Sequence, residues 1–142
     1  MTRIVQGFAA LALIGAVAPA VAEDHWPKGA SVYFLAPVDG AKIKGPVTVV
    51  MGLAGLGVAP AGVDKPNTGH HHIIVDADPP KGADLMAALP ADDHVRHFGG
   101  GQTQAVLTLA PGPHTLQLLV GDQNHVPYDP PLISQKITIE VQ

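Results

Sequence analysis

Proline and glycine punctuate this chain at short intervals, with 14 and 16 respectively among its 142 residues. Runs between such breakers are too short for long helices, and several are rich in β-branched residues that suit a pleated surface. Ser31 to Leu35, Val47 to Met51, His71 to Asp76, Thr103 to Leu109, His114 to Val120 and Ser134 to Val141 read as strands. The last alternates polar and apolar residues, with Ile137, Ile139 and Val141 facing one way. Gly52 to Gly69 has no clear period and reads as a long loop, and Asp84 to Leu89 as one or two helical turns stopped by Pro90. The expected fold is all-β: an immunoglobulin- or fibronectin-like β-sandwich of about seven short strands, in one domain spanning residues 31–142.

The first residues read as an export signal. Arg3 gives a basic start, Phe8 to Val17 is an apolar run too short to span a bilayer, and Ala20-Val21-Ala22 is a small-x-small cleavage box. Residues 1–22 are therefore expected to be removed, and residues 23–30 to form a flexible lead-in. No second apolar run of that kind follows, so the mature form is expected to carry no membrane span and to lie in the periplasm or outside the cell. With no cysteine, the chain makes no disulfide, thiolate metal site, cysteine nucleophile or lipidated cysteine, and no blue-copper centre. A formal charge of -4 with eight Lys and Arg argues against a nucleic-acid partner.

Histidine is the residue out of proportion: there are eight, as many as Lys and Arg together. In Gly69-His70-His71-His72, strand alternation puts His70 and His72 on one face, about 7 Å apart along the strand, and His71 on the other. Two imidazoles on one face supply the first pair of ligands for one metal ion; packing at a strand's start is the plainer alternative. His97 precedes Gly99-Gly100-Gly101 and is expected on a loop able to fold over the first cluster, whereas His94 would share its face only in a helix. His125, in Gly121-Asp122-Gln123-Asn124-His125, lies on a loop after the strand that His114 opens. That strand and the His70 strand are expected to be neighbours in one sheet, which would let the histidines converge. His114 is open to three roles: ligand, partner to a ligand, or corner residue. His25 receives no role.

Catalytic patterns are poor. Ser31 and Ser134 lack a Gly-x-Ser-x-Gly setting, His-Glu-x-x-His is absent, and the pairs Asp76/Asp78 and Asp92/Asp93 sit in turn-like settings. No enzyme is expected.

Leu109-Ala110-Pro111-Gly112-Pro113-His114 resembles the Leu-x-Pro-Gly-x-Tyr corner of fibronectin-type sandwiches, with His114 in the aromatic's place. In order along the chain, GVAPAGVDKPNTGHHHIIVD, HFGGGQTQ, LAPGPHTLQLLVGD and NHVPYDPPLISQKITIEV resemble the DUF4399 family of small exported bacterial proteins. The resemblance runs from about Pro37 to Val141 and implies a sandwich, export and an unusual histidine set at His70, His72, His114 and His125. Tyr128 departs from it, standing where many relatives carry a further histidine. The expected function is binding, buffering or delivery of a metal ion, copper first and zinc second, through His70, His72, His97, His125 and His114. Binding should weaken below about pH 6, where ordinary imidazoles protonate. The alternative is a metal-free module that docks to an envelope protein. The sequence sets no oligomeric state.

Overall fold

Each β-rich run becomes a strand, and three very short strands join them. The computed structural model describes residues 25–142, so the expected export signal at residues 1–22 lies outside the described residues. In chain order the strands are β1 (Ser31–Ala36), β2 (Lys42–Ile43), β3 (Val47–Ala54), β4 (Gly57–Val58), β5 (Thr68–Val75), β6 (Val95–His97), β7 (Gln104–Leu107), β8 (Gly112–Gly121) and β9 (Ile137–Val141). One short 3-10 turn, Gly82–Met86, interrupts them.

They form two sheets. One is β1-β3-β7, antiparallel throughout. The larger runs β2-β9-β8-β5, and both β4 and β6 pair with β5. Val32, Val47, Val49 and Met51 of the smaller sheet pack against Ile73, Val75, Leu116, Leu118, Val120, Ile137 and Ile139 of the larger. This is a β-sandwich, as the punctuated pattern predicts. Burying each such side chain contributes about 1.5–3 kcal/mol, so this face-to-face layer is the main source of stability.

The two central strands are covered on both faces. In β5, Ile73 and Val75 point into the sandwich while Ile74 points outward, where it packs with Leu119, Leu89, Val95 and Ile133. Period-two alternation therefore puts His71 on the inner face and His70 and His72 on the outer one.

The expected loop at residues 52–69 is partly strand. β3 continues through Gly52 to Ala54, and Gly52 faces Tyr33 on β1, whose ring lies over the glycine and fills the space a side chain would take. The described part of the lead-in, residues 25–30, is anchored rather than loose. Trp26 is buried in the main core, and its indole N–H donates to the Pro127 carbonyl at 2.7 Å. A buried indole outweighs the polar composition around it.

Candidate metal centre

The site forms on the outer face of β5, at its first half. Across the β5–β8 ladder His70 faces Gly121; on the opposite edge His72 pairs directly with His97. Paired residues share a face, so register alone sets His97 beside His72. The residue expected on a loop thus sits on a three-residue strand, too short for its alternation to show in sequence.

His125 comes from the turn after β8. Asp122 shapes that turn: one carboxylate oxygen accepts the N–H groups of Asn124 and Val126 at 2.8 and 2.9 Å, and the other accepts the Tyr128 hydroxyl at 2.9 Å. The His125 N–H closes onto the Asp122 carbonyl, and His125 adopts a left-handed φ of 67°. A non-glycine residue held there is strained, and strain of this kind collects at functional sites.

The four rings meet. His70 Nε2 lies 3.1 Å from His125 Nδ1 and 3.2 Å from His97 Nε2, and one nitrogen from each of the four lies within 4.8 Å of all the others. Four nitrogens held tetrahedrally at 2.0–2.1 Å from one ion would be about 3.3 Å apart. The donor set therefore suits a metal ion. His70 and His72 are buried, while His97 is the most exposed and borders a groove of about 630 Å³ shared with Asp92, Arg96 and Phe98.

Electrostatics keep the pocket in its ligating form. Burial, then the neighbouring rings of His125 and His97, pushes the His70 pKa down to about 4. Burial, then His70, His97 and His125, pushes His72 down to about 3. Burial also lowers His97. His70 Nδ1 and both nitrogens of His72 are buried with no hydrogen-bond partner. An unpaired buried polar atom costs about 1–3 kcal/mol, and an ion bound to the cluster would relieve part of that cost.

Glycine makes the space. A Cβ on Gly121 would stand 2.8 Å from His72 Cε1 and 3.1 Å from His125 Cα, and one on Gly99 would run into the His97 ring. Nothing in the local pattern marks Gly121 or Gly99 as a site residue, whereas Gly-Asp-x-Asn before His125 carries a turn signal that points to Asp122.

His114 is a correction: it stands outside the cluster. Its Nδ1 bonds Asp76 at 2.6 Å and its Nε2 bonds the Ala110 carbonyl at 2.7 Å, while the other Asp76 oxygen accepts the Thr115 N–H. Both ring nitrogens are committed to oxygen acceptors, and the Asp76 contact raises the His114 pKa. His114 also sits seven residues before Gly121 on β8, about 23 Å away along the strand. It fills the corner role. His94 bonds the Val75 carbonyl at 3.0 Å. His71 is buried on the inner face, where its nitrogens approach backbone of Gly52 and Gln102 without well-formed hydrogen bonds. Tyr128 does not replace a ligand: it serves Asp122 and stacks on His25, with centroids 3.5 Å apart.

Fold and site together define a β-sandwich module with a four-imidazole pocket, two of its rings buried, on the outer face of its larger sheet. The chain belongs to the DUF4399 family: the model of that domain of unknown function matches residues 49–142, which include all four histidines. No curated protein sequence matches the chain. Among solved structures it is similar to the endo-beta-1,4-mannanase from Thermotoga petrophila, at 20% identity and a TM-score of 0.45, over 80% of this chain. The chain spans 20% of that enzyme's length.

Proposed function

We propose that this protein binds one metal ion, copper first and zinc second, through His70, His72, His97 and His125, and buffers or delivers it in the periplasm. The observation that carries this reading is the convergence of four imidazoles, one nitrogen of each within 4.8 Å of the others, with three buried ring nitrogens of His70 and His72 lacking any hydrogen-bond partner. Imidazole without thiolate suits Cu(II) and Zn(II), and Cu(II) heads the affinity order for divalent ions. Four protein ligands fill a four-coordinate shell, whereas catalytic zinc sites keep a position open for water or substrate. That supports carriage over turnover. Exposure of His97 to the groove supports exchange with a donor or acceptor. The export signal supports the periplasmic setting.

Calorimetric titration of the processed, untagged protein with Cu(II) and with Zn(II) tests the proposal. One equivalent should be lost in His70→Ala/His72→Ala. Affinity no tighter than that of a scrambled histidine-containing peptide would defeat it.

A second reading, a docking module for an envelope protein, draws on the outer face of the smaller sheet, where Tyr33, Leu35 and Val106 are exposed. It predicts that Cu(II) and Zn(II) leave the melting temperature unchanged, in the native chain and in His70→Ala/His72→Ala alike.

A further inference from the structure

The four imidazoles are not held alike. His70 and His72 are buried on β5, which has strands on both sides. His125 is fixed through its backbone: its N–H donates to the Asp122 carbonyl at 3.0 Å, and its own carbonyl accepts the Leu89 N–H at 2.9 Å. His97 is the last residue of β6, which among the described residues pairs only with β5. It is the most exposed of the four. Gly99 leaves only backbone against its ring, since a Cβ there would stand 2.5 Å from His97 Nε2. An exposed side chain on a short edge strand moves at lower cost than one locked in a central strand.

The groove of about 630 Å³ opens beside this ring. β6 and the loop before it line one side with Asp92, Asp93 and Arg96, and the end of β7 lines the other with the exposed Val106. Arg96 pairs with Asp93 at 3.2 Å, so two carboxylates stand against one guanidinium and the rim is negative. That charge selects among donors that could approach the ion from the groove. A carboxylate or thiolate meets repulsion. A thioether suits Cu(I) rather than Cu(II) or Zn(II), whereas a neutral imidazole suits both divalent ions.

From these observations we infer that His97 is the ligand the metal gives up first, and that the groove admits its replacement, an imidazole presented by a partner protein as a histidine side chain. This rests on the metal-binding reading of the pocket and adds to it which ligand yields and what takes its place. Zinc can pass through five-coordination, so the incoming nitrogen bonds the ion before the His97 bond breaks. One metal–nitrogen bond forms and one is lost; both imidazoles stay neutral, and no electron moves.

The test uses the untagged protein with free imidazole as the probe. The wild-type chain should bind one equivalent of Cu(II) or Zn(II). His97→Gly should bind it about tenfold or more weakly, and imidazole should restore most of that loss and return the Cu(II) spectrum to its wild-type form. In His72→Gly, where the gap is buried, imidazole should only compete for the ion and weaken binding further. Zn(II) transfer from the wild-type chain to a colorimetric chelator in excess should accelerate in proportion to added imidazole, a measurement that needs no variant. The inference is overturned, with metal binding by the pocket left in place, if His97→Gly binds as tightly as wild type, if imidazole does not restore it, if His72→Gly is restored equally, or if the wild-type transfer rate ignores imidazole. A wild-type chain that takes up no metal overturns the pocket and the inference together.

Discussion

Acid should destabilise the metal-free protein, and the buried pair sets the size of the effect. An exposed imidazole in the unfolded chain titrates near 6.5, whereas folded His70 and His72 titrate at about 4 and about 3. Between these values the unfolded chain binds more protons than the folded one, so stability falls as pH drops below 6.5 and continues to fall until the folded values are reached. At pH 5 both folded rings are still neutral and both unfolded rings are charged. Each then costs about 2 kcal/mol relative to pH 7 or above, or about 4 kcal/mol for the two. His71, also lowered by burial, adds in the same direction. His114 runs the other way: its raised pKa favours the folded state as pH falls, but Asp76 is partly exposed and the pair offsets only a fraction of a kcal/mol. A loss near 4 kcal/mol is large against a typical total of 5–15. Urea unfolding with a chelator present, at pH 7 and pH 5, should show the midpoint falling by about 2 M. His70→Asn/His72→Asn should remove most of that pH dependence, whatever its effect on stability at pH 7. A wild-type midpoint that does not move, or a double variant that keeps the whole drop, would refute the account of neutral buried rings. The same low values move the onset of proton competition with metal at these two ligands below pH 6, the point an ordinary imidazole would set.

Gly121→Ala should weaken metal binding about tenfold or more, because the added methyl meets His72 and the His125 backbone, with an overpacking cost of about 1–3 kcal/mol; calorimetry and thermal unfolding read the two effects separately. Asp122→Ala leaves the Asn124 and Val126 N–H groups and the Tyr128 hydroxyl without their acceptor, so metal affinity should fall about 10–100-fold with His70, His72 and His97 still in place; an unchanged dissociation constant would deny Asp122 its positioning role. His114→Ala should cost about 1–2 kcal/mol in urea unfolding through its two lost hydrogen bonds and leave metal stoichiometry unchanged; loss of an equivalent would return His114 to the ligand set.

What could be read from sequence follows the range over which each feature is decided. His70 and His72 share a face because a strand alternates, and alternation needs no partner; the same rule sends His71 inward. The strands that form the sandwich core announce themselves by β-branched runs, since burial against a second sheet needs only the right face. His97 depends on something nonlocal. It reaches His72 through the register of β6 on β5, and three residues hold too little pattern to reveal a strand or its partner. His125 depends on a turn that Asp122 ties together and on a left-handed backbone, so its direction is set by hydrogen bonds rather than by period. Residue type alone points His114 toward the cluster, yet the Pro111-Gly112-Pro113 turn starts β8 at the end far from Gly121, and Asp76 takes the ring there. Trp26 was hidden by a polar neighbourhood, although one indole in the core outweighs several exposed polar residues. The glycines show the remaining gap most clearly. Gly99 and Gly121 read as turn punctuation, and they do end strands or follow them, but each also leaves room beside an imidazole. A glycine chosen for the space it leaves looks the same in sequence as one chosen for the angle it permits, and only the neighbour across the sheet tells them apart.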